Sequence, residues 1–366
     1  MDPRKTQPGH KCQTRPFIVP VFLPQAGCPH RCVFCNQRAL TGADAGLPSV
    51  DVLEAEINRF LGYRRDSRAN TEISFFGGNF LGQPPDTVTM LLNIAEGFVR
   101  AGRAHGIRFS TRPDTIDGKR LTLLSGYTVG TVEIGAQSMD DYVLDLAGRG
   151  HSSADTARAV MHLKKAGYDT GLQMMVGLPG QSEASALDTG RRIAALEPDF
   201  VRIYPALVIR GSRLETWYRD GRYEPLALDR CIALVKQLFL LFSEKGIPVI
   251  RIGLQANEGL DTGGDLVAGP YHPAMGQMVA SEIFFDKAAA AIASSGGDFA
   301  GGIRLIVHPR MISTMRGQKN VNIKRLQNHF PRLGPVSVNA CPNTAETDVV
   351  VVRAKGEKPR FKGGIV

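Results

Sequence analysis

The chain has 366 residues, of which 43% are hydrophobic and 22% are charged, a composition typical of a folded protein and not of a disordered one. Because this length exceeds a single small core, we expect one large domain and one smaller domain. No apolar run reaches the roughly 18 residues that a membrane span needs, and the first residues lack the apolar core of a signal peptide. We therefore predict a cytoplasmic protein.

The formal net charge of +9 is concentrated at one end of the chain. Residues 301–366 contain twelve Lys or Arg and three Asp or Glu, whereas residues 1–300 contain 32 of each kind. No acidic residue occurs between Gly301 and Ala345. This segregation indicates a polyanionic partner, nucleic acid before an anionic membrane, and the alternative is a basic surface without a partner.

Short β-rich runs alternate with segments of helical periodicity along most of the chain. Helical segments end in glycine at Gly102 and Gly167, where a helix C-terminus favours it. This alternation predicts an α/β fold of parallel β/α units, either a barrel or an open doubly wound sheet. The six predicted strands are 17–23, 72–77, 107–111, 130–135, 171–177 and 200–205, and a seventh candidate is 247–254.

Changes in composition predict four segments. The glycine-rich sequence SSGGDFAGG marks a boundary near residue 298, and the turn-rich residues 253–278 are a lid candidate. Beyond the boundary, short strand patterns and one helical pattern predict a small α+β unit. The predicted segments are a basic N-terminal tail (1–15), a barrel (16–250), a lid or connecting segment (251–298) and a basic α+β appendage (299–366).

Three of the six cysteines, Cys28, Cys32 and Cys35, lie within eight residues after the first predicted strand. In a reducing compartment such a group indicates metal binding or catalysis and not a disulfide framework. Structural zinc usually takes four ligands from two pairs, and a redox dithiol needs two cysteines. We favour an iron–sulfur cluster with one iron open to an exogenous ligand, and we assign neither Cys12 nor Cys341 to it.

The C-x3-C-x2-C spacing, with Phe34 before the third cysteine, resembles the radical S-adenosylmethionine (SAM) superfamily. The resemblance implies a partial (β/α)6 TIM-like barrel and a 4Fe-4S cluster bound by the three cysteines. It also implies SAM as cofactor, its reductive cleavage to a 5'-deoxyadenosyl radical, and an electron donor such as flavodoxin or ferredoxin. By similarity of the motifs at the strand ends, the SAM-binding candidates are Phe34, Gly77, Gly78, Asn79, Ser110, Gln137, Arg149 and Gln173.

One branch of the superfamily gives a more specific resemblance. Four strings look like the radical SAM half of the elongator complex catalytic subunit, a family that modifies wobble uridines of tRNA and carries an acetyltransferase domain. The appendage is too short for such a domain, so acetyl-CoA is not implied. The strings are STRPD (110–114), VEIGAQSMDDYVLDLAGRGH (132–151), GLQMMVGLPG (171–180) and RIYPALVIRGSRLETWYRDGRY (202–223).

Four barrel residues, Glu133, Arg202, Tyr204 and Arg210, are candidate substrate contacts because they lie in or just after the fourth and sixth predicted strands. A carboxylate near a sulfonium would be stabilised electrostatically, which favours Glu133 as one of them. In the alternative, Tyr204 packs under a loop, the arginines pair with surface carboxylates, and Glu133 faces a helix.

The appendage contains a basic loop before a helix, in the string TMRGQKNVNIKRLQNHF (314–330). This loop loosely resembles the backbone-clamping loop of KH domains. Backbone N–H groups at a helix N-terminus, together with Lys and Arg, favour phosphate. The predicted RNA contacts are Arg316, Lys319, Lys324 and Arg325.

The leading hypothesis is a radical SAM enzyme that modifies RNA, with tRNA as the expected partner and no membrane partner. A second hypothesis is a radical SAM oxidoreductase acting on a small, porphyrin-like carboxylate. A third is a non-catalytic iron–sulfur or zinc protein that binds RNA through its basic tail. Salt dependence of RNA binding separates the first from the second, and formation of 5'-deoxyadenosine separates both from the third.

Overall fold

We analysed a computed structural model of the chain. The predicted N-terminal tail, Cys12 and the end of the appendage (355–366) lie outside the described residues. The structure describes residues 16–23, 27–29, 32–36, 47–64, 70–254, 258–261, 264–296 and 299–354.

Seven parallel strands form one sheet in which each strand lies beside its predecessor. A doubly wound sheet would reverse this order at a switch point, so the barrel alternative is confirmed as a half-barrel. The strands are numbered in chain order along the whole chain, and β7 (Val208–Ile209) and β9 (Leu266–Ala268) lie outside this sheet. The strands of the sheet are β1 (Phe17–Phe22), β2 (Thr71–Phe76), β3 (Gly106–Thr111), β4 (Val129–Gln137), β5 (Asp169–Val176), β6 (Phe200–Pro205) and β8 (Val249–Ile252). The seventh candidate of the sequence therefore joins the sheet as β8, beside β6.

Helices connect these strands. The predicted helix ends are confirmed, because Gly102 and Gly167 follow their helices with positive φ angles of 69° and 84°. Ser152 and Asp155 form a reciprocal capping box at the start of the fifth helix. The helices are α1 (Val50–Leu61), α2 (Pro85–Arg100), α3 (Gly118–Leu124), α4 (Asp141–Leu146), α5 (Ser153–Lys165), α6 (Glu183–Ala195), α7 (Arg213–Arg219), α8 (Leu228–Glu244) and α9 (Glu258–Asp261).

Large side chains pack closely where neighbouring strands meet. The rings of Phe75, Phe80 and Phe109 stack in series, with centroids 5.0 and 4.5 Å apart. On β5, a Cβ atom at Gly171 would lie 2.2 Å from a ring carbon of Phe200 on β6, so only glycine leaves room for this ring. Such packing holds the strand ends in fixed positions.

The chain divides into two compact units, residues 1–228 with 240–271 and residues 229–239 with 272–366. The second unit has a three-stranded sheet in which β10 lies between β11, parallel to it, and β12, antiparallel to it. The elements of this unit are helix α10 (Met275–Ser294), β10 (Ile303–Val307), α11 (Ile312–Arg316), α12 (Val321–His329), β11 (Val336–Ala340) and β12 (Val350–Arg353).

The second unit begins earlier than the predicted boundary at residue 298. Phe284 and Ile292 of α10 pack in one buried cluster with Ile303 and Leu305 of β10. A glycine-rich loop marks the boundary in the sequence, but the apolar side chains of α10 are covered by strands that follow that loop. Helix α10 is therefore part of the core of the α+β unit.

The N-terminal part of the predicted lid or connecting segment, up to Tyr271, belongs to the first unit. There β9 (Leu266–Ala268) pairs antiparallel with β7 (Val208–Ile209), and the Tyr271 hydroxyl donates to Asp261 Oδ1 at 2.6 Å. Desolvation and this acceptor raise the pKa of Tyr271 to about 12. None of the helices that the structure describes combines the length and the apolar character needed to cross a membrane.

Candidate active site

The loop that carries the cysteines, residues 27–29 and 32–36, follows β1 and is called the cysteine loop below. Asn79, just after β2, is fully buried and donates its side-chain Nδ2 to the Gly27 carbonyl at 2.9 Å. Its Oδ1 accepts from the hydroxyls of Thr111 (2.7 Å) and Thr115 (3.0 Å) and from the backbone N–H of Arg112 (3.1 Å). Asn79 thus joins the ends of β2 and β3 to the start of the cysteine loop.

Glycine is required where these segments meet. Gly27 has a φ of +73°, and a Cβ atom there would lie 2.3 Å from the Asn79 carbonyl oxygen. A Cβ atom at Gly82 would lie 2.1 Å from Asn79 Nδ2. Any larger residue at either position would displace the backbone or the amide that holds the loop.

The far half of the cysteine loop is held by three further hydrogen bonds. The Val33 N–H donates to the Ala147 carbonyl at 3.0 Å, and the Leu214 N–H donates to the Val33 carbonyl at 2.7 Å. Asn36 Nδ2 donates to the Arg210 carbonyl at 2.6 Å. The loop is therefore supported by segments that follow β2, β4 and β7, which are far apart in the sequence.

The three thiols differ in environment. Cys32 is buried, Cys35 is half-buried and Cys28 is exposed. Desolvation and the neighbouring Cys32 thiol raise the pKa of Cys28, while the guanidinium groups of Arg112 and Arg149 act in the opposite direction. Among the residues with described positions, no three His, Cys, Asp or Glu side chains converge as the ligands of one metal ion would. The thiolates of a 4Fe-4S cluster bind different irons. The thiols of Cys28 and Cys32, which lie near the guanidinium groups of Arg112 and Arg149, fit part of such a site.

Arg149 connects the cysteine loop to β4. Its Nη1 donates to Cys32 Sγ at 3.2 Å and its Nη2 donates to the Gly135 carbonyl at 2.6 Å. Arg112 fixes the Arg149 backbone by donating Nη2 to its carbonyl at 2.5 Å, and it binds the Asp114 carboxylate through two bonds of 2.9 Å. Arg149 was a sequence-predicted site residue, whereas Arg112 was missed, although it stands in the STRPD string.

Buried nitrogens without a protein partner lie in the same cluster. Arg112 Nη1, Arg149 Nε and His151 Nδ1 have no hydrogen-bond partner within the part of the chain that the structure describes. Unpaired buried donors are uncommon, and those beside the thiols fit a polar ligand such as a carboxylate. Desolvation, assisted by Arg149 and Arg112, lowers the pKa of His151 from 6.5 to about 4, so this imidazole is neutral at pH 7. His151 was also missed, although it closes the GRGH string.

Of the other predicted cofactor residues, Phe34 lies in the cysteine loop, Gln173 lies inside β5, and the rest lie at or near the carboxyl ends of β2 to β4, where barrel enzymes keep their sites. Gly77 has a φ of +94° directly after β2. Gln137, at the end of β4, has a φ of +67°, a conformation that costs a non-glycine residue about 1 kcal/mol. Its Oε1 accepts from Gln173 Nε2 of β5 at 3.2 Å. Gly78 follows Gly77, and Ser110 is half-buried near the end of β3.

Two predicted substrate contacts form a buried ion network. Glu133 of β4 accepts from Arg108 Nη1 at 3.0 Å and from Arg202 Nη2 at 2.9 Å. Arg108 Nε also donates to Glu72 Oε2 at 2.7 Å. Because β5 separates β4 from β6, Glu133 and Arg202 face each other across one strand on the same face of the sheet. Glu133 therefore neither points to a helix nor remains without a partner.

Arg202 and the two remaining predicted substrate contacts, Tyr204 and Arg210, also bind or pack against other groups of the protein. Desolvation alone would lower the pKa of Arg202, but the Glu133 carboxylate and the Tyr204 hydroxyl together outweigh it and raise this pKa above its ordinary value. Arg202 Nη1 lies 3.4 Å from the Tyr204 hydroxyl, and Tyr204 packs beside Phe34 in an apolar cluster. Arg210 is exposed, and its Nε donates to the Gly264 carbonyl at 2.8 Å.

In the second unit, three of the four predicted RNA contacts, Arg316, Lys319 and Lys324, are exposed. Arg325, by contrast, is half-buried and bound to other side chains. Its Nη2 donates to Glu282 Oε2 at 3.0 Å, and its guanidinium lies 3.9 Å from the ring centroid of Phe285. Both partners are on α10, so Arg325 joins α12 to α10, and its expected contact with RNA stays a prediction.

Comparisons with known proteins agree with this geometry. The radical SAM superfamily model matches residues 22–193, and the radical SAM C-terminal domain model matches residues 198–284. An uncharacterized protein of Methanocaldococcus jannaschii is 25% identical over 237 residues, covering 62% of this chain and 71% of the relative. A tRNA uridine(34) acetyltransferase of Dehalococcoides mccartyi is 27% identical over 266 residues, covering 64% of this chain and 57% of the relative.

Among solved structures, Elp3 of the archaeon Methanocaldococcus infernus, with an N-terminal deletion, has the same fold with a TM-score of 0.57 and 21% identity. The match covers 74% of this chain and 63% of Elp3. The chain thus spans less than two thirds of Elp3 and of the Dehalococcoides acetyltransferase. The two family models, which together match most of the chain, and the half-barrel with its three-cysteine loop establish that the protein belongs to the radical SAM superfamily of enzymes.

Proposed function

We propose that the protein binds a 4Fe-4S cluster through Cys28, Cys32 and Cys35, cleaves SAM, and modifies tRNA at the wobble uridine. The observation that carries the first part is the rigid attachment of the cysteine loop beside buried, unpaired arginine nitrogens. When bound, the cluster supplies the electron that splits SAM into methionine and a 5'-deoxyadenosyl radical. The names of the relatives, tRNA uridine(34) acetyltransferases, support the substrate.

The residues around the thiols suit the parts of SAM. The open backbone at Gly77 and Gly78 lets an ammonium group approach without meeting a Cβ atom. Arg149, with its unpaired Nε, is suited to a carboxylate. Gln137 and Gln173 present amides to ribose hydroxyls or adenine edges. Asn79, whose side-chain atoms all bond to protein groups, positions the cysteine loop.

Binding of RNA is assigned to the second unit. Its β10–α11–α12–β11 arrangement places a short basic loop between two helices, as the clamping loop of KH domains is placed. Gly317 and Asn320 begin and end this loop, both with positive φ, which glycine and asparagine adopt most readily. Arg316, Lys319 and Lys324 are exposed there, and no acidic residue occurs from 301 to 345. This surface favours a nucleic-acid backbone.

The substrate is tested by mass spectrometry of nucleosides from the total tRNA of a strain that lacks the gene. We expect one modified uridine to disappear and to return with the wild-type gene but not with Cys32→Ala. An unchanged nucleoside profile would overturn the tRNA assignment and favour the small-molecule oxidoreductase.

The RNA-binding surface is tested separately by filter binding of tRNA at several salt concentrations. The triple variant Arg316→Gln, Lys319→Gln, Lys324→Gln should bind more weakly, with a salt slope reduced by about two to three, because each of the three lost phosphate contacts removes roughly 0.7 to 0.9 from it. The matched control, Arg59→Gln, Arg100→Gln, Arg191→Gln, removes three exposed charges from helices of the first unit and should bind as the wild type does. Equal loss in both triple variants would contradict the assignment.

A further inference from the structure

A surface pocket of about 690 Å³ lies beside the turn after β5, and none of the roles assigned above uses it. Three aromatic residues line it, Tyr142 of α4, Trp217 of α7 and Tyr223. The rest of its wall is formed by the turn residues 177–182, with Leu146, Arg222 and Glu224. All of these residues belong to the first unit.

The wall of this pocket is rigid. The Tyr223 hydroxyl donates to the Gly177 carbonyl at 2.7 Å. Gln181 spans the turn, because its Nε2 donates to the Met175 carbonyl at 3.2 Å. A Cβ atom at Gly180, whose φ is +74°, would lie 2.6 Å from a methyl carbon of Leu146 and 3.0 Å from the Tyr142 ring. Glycine therefore lets the turn approach α4 closely and keeps one face of Tyr142 within the pocket.

The exposed groups are those that bind a flat, polar ring. The Tyr142 side chain is 65% exposed, which is unusual for a large aromatic residue on a short, well-packed helix. The Arg222 guanidinium lies 5.5 Å from the ring centroid of Trp217. Unstacked nucleobases bind proteins by stacking on aromatic rings and on Arg planes, with hydrogen bonds to their edges. Arg222 donates its Nη2 to Asp220 Oδ2 at 2.8 Å and has further N–H groups for those edges, and Glu224 offers an acceptor.

The pocket also adjoins the cysteine loop. Trp217 and Tyr223 pack in one apolar cluster with Val33 and Phe34, which lie between Cys32 and Cys35. A ligand against Trp217 is thus separated from the cysteine loop by a single layer of side chains. This proximity would let one part of the substrate bind in the pocket while another part reacts beside the cysteine loop.

We propose that this pocket binds one unstacked nucleobase of the RNA substrate, with Tyr142, Trp217 and Arg222 forming the stacking surfaces. The proposal rests on the proposed function in that it takes RNA as the substrate. It adds a second point of RNA recognition, in the first unit, to the basic loop of the second.

The only tryptophan of the chain lies in this pocket, so its fluorescence reports binding there in the full-length protein. We expect saturable quenching by uridine and adenosine 5'-monophosphates and by short single-stranded oligonucleotides of RNA. Tyr142→Ala and Arg222→Ala should each weaken binding about fivefold or more, because a stacked base contributes about 1–3 kcal/mol. Arg222→Lys, which keeps the charge but loses the plane, should also bind more weakly than the wild type.

Tyr218→Ala is the matched control, because Tyr218 is an exposed tyrosine of α7 outside the pocket lining. It should bind as the wild type does, and circular dichroism should show all variants folded. Absence of saturable quenching, or equal weakening by Tyr218→Ala and Tyr142→Ala, would overturn the proposal. If nucleotides did not quench the fluorescence but the tRNA nucleoside profile of the deletion strain were altered, the pocket proposal would be wrong and the proposed function would be retained. Quenching by nucleotides with an unchanged profile would support the pocket and remove tRNA as substrate.

Discussion

The side-chain amide of Asn79 donates a 2.9 Å hydrogen bond to the carbonyl of Gly27, and this bond joins the end of β2 to the start of the cysteine loop. Because Asn79 Oδ1 also accepts from the Arg112 N–H, Asn79→Ala removes the partner of this N–H and of the Gly27 carbonyl, whereas the Thr111 and Thr115 hydroxyls keep each other and the Arg112 carbonyl as partners. We expect a loss of about 2–4 kcal/mol in the free energy of unfolding, measured by urea denaturation.

The matched control for this prediction is Asn93→Ala, since Asn93 is exposed and accepts one hydrogen bond, from the Tyr127 hydroxyl at 3.0 Å. Its free energy of unfolding should stay within about 0.5 kcal/mol of the wild type. Because Asn79 holds the loop, Asn79→Ala should also retain less iron after anaerobic reconstitution than Asn93→Ala. Equal stability and equal iron in the two variants would remove the role assigned to Asn79.

The buried ion network predicts a large effect at Glu133. Glu133→Ala leaves both Arg108 and Arg202 with a buried charge that has lost a partner, so we expect a loss of about 3–5 kcal/mol in unfolding free energy. Asp188→Asn, which removes an exposed pair with Arg191 at 4.0 Å, should change it by less than about 1 kcal/mol. If Glu133→Ala were as stable as Asp188→Asn, Glu133 would not hold the network together.

His151 predicts a pH dependence of stability. In the unfolded chain its imidazole takes up a proton near pH 6.5, but in the folded chain it does so only near pH 4. Between these values the unfolded state binds more protons, so the free energy of unfolding falls as the pH is lowered from 6.5 to about 4. The full loss is roughly 3 kcal/mol, because each tenfold difference in proton affinity between the two states corresponds to about 1.4 kcal/mol.

This dependence is measured by urea denaturation at a series of pH values, for the wild type and for His151→Gln. Backbone hydrogen bonds lower the pKa values of Asp117 and Asp155, whose contributions are also lost in acid. Both proteins keep these carboxylates, and the charge of His151 is the smallest of the causes that lower the pKa of Asp155, so the difference between the two proteins reports the histidine above all. A parallel pH dependence in the wild type and the variant would show that His151 is protonated equally in both states.

The half-barrel is predictable from the sequence because strand and helix patterns alternate and because glycines such as Gly102 and Gly167 end the helices. The three-cysteine loop can be recognised in the sequence because its three cysteines lie within eight residues of one another. Asn79 was predicted as a cofactor contact, and its bond to Gly27 could not be foreseen because it joins segments 52 residues apart. The ion pair of Arg325 could not be foreseen for a similar reason, since its partner Glu282 lies on a helix that the sequence assigns to another segment.

The central claim is tested most directly by assaying 5'-deoxyadenosine after anaerobic reconstitution with iron and sulfide, addition of SAM and reduction with dithionite. The proposal predicts formation of 5'-deoxyadenosine by the wild type and none by Cys32→Ala, in which the thiol beside Arg149 is lost. Cys231→Ala serves as the cysteine control, because Cys231 is buried in α8, where desolvation raises its pKa to about 12. A fully reconstituted wild type that forms no 5'-deoxyadenosine, or a Cys32→Ala variant that forms as much as the wild type, would contradict it.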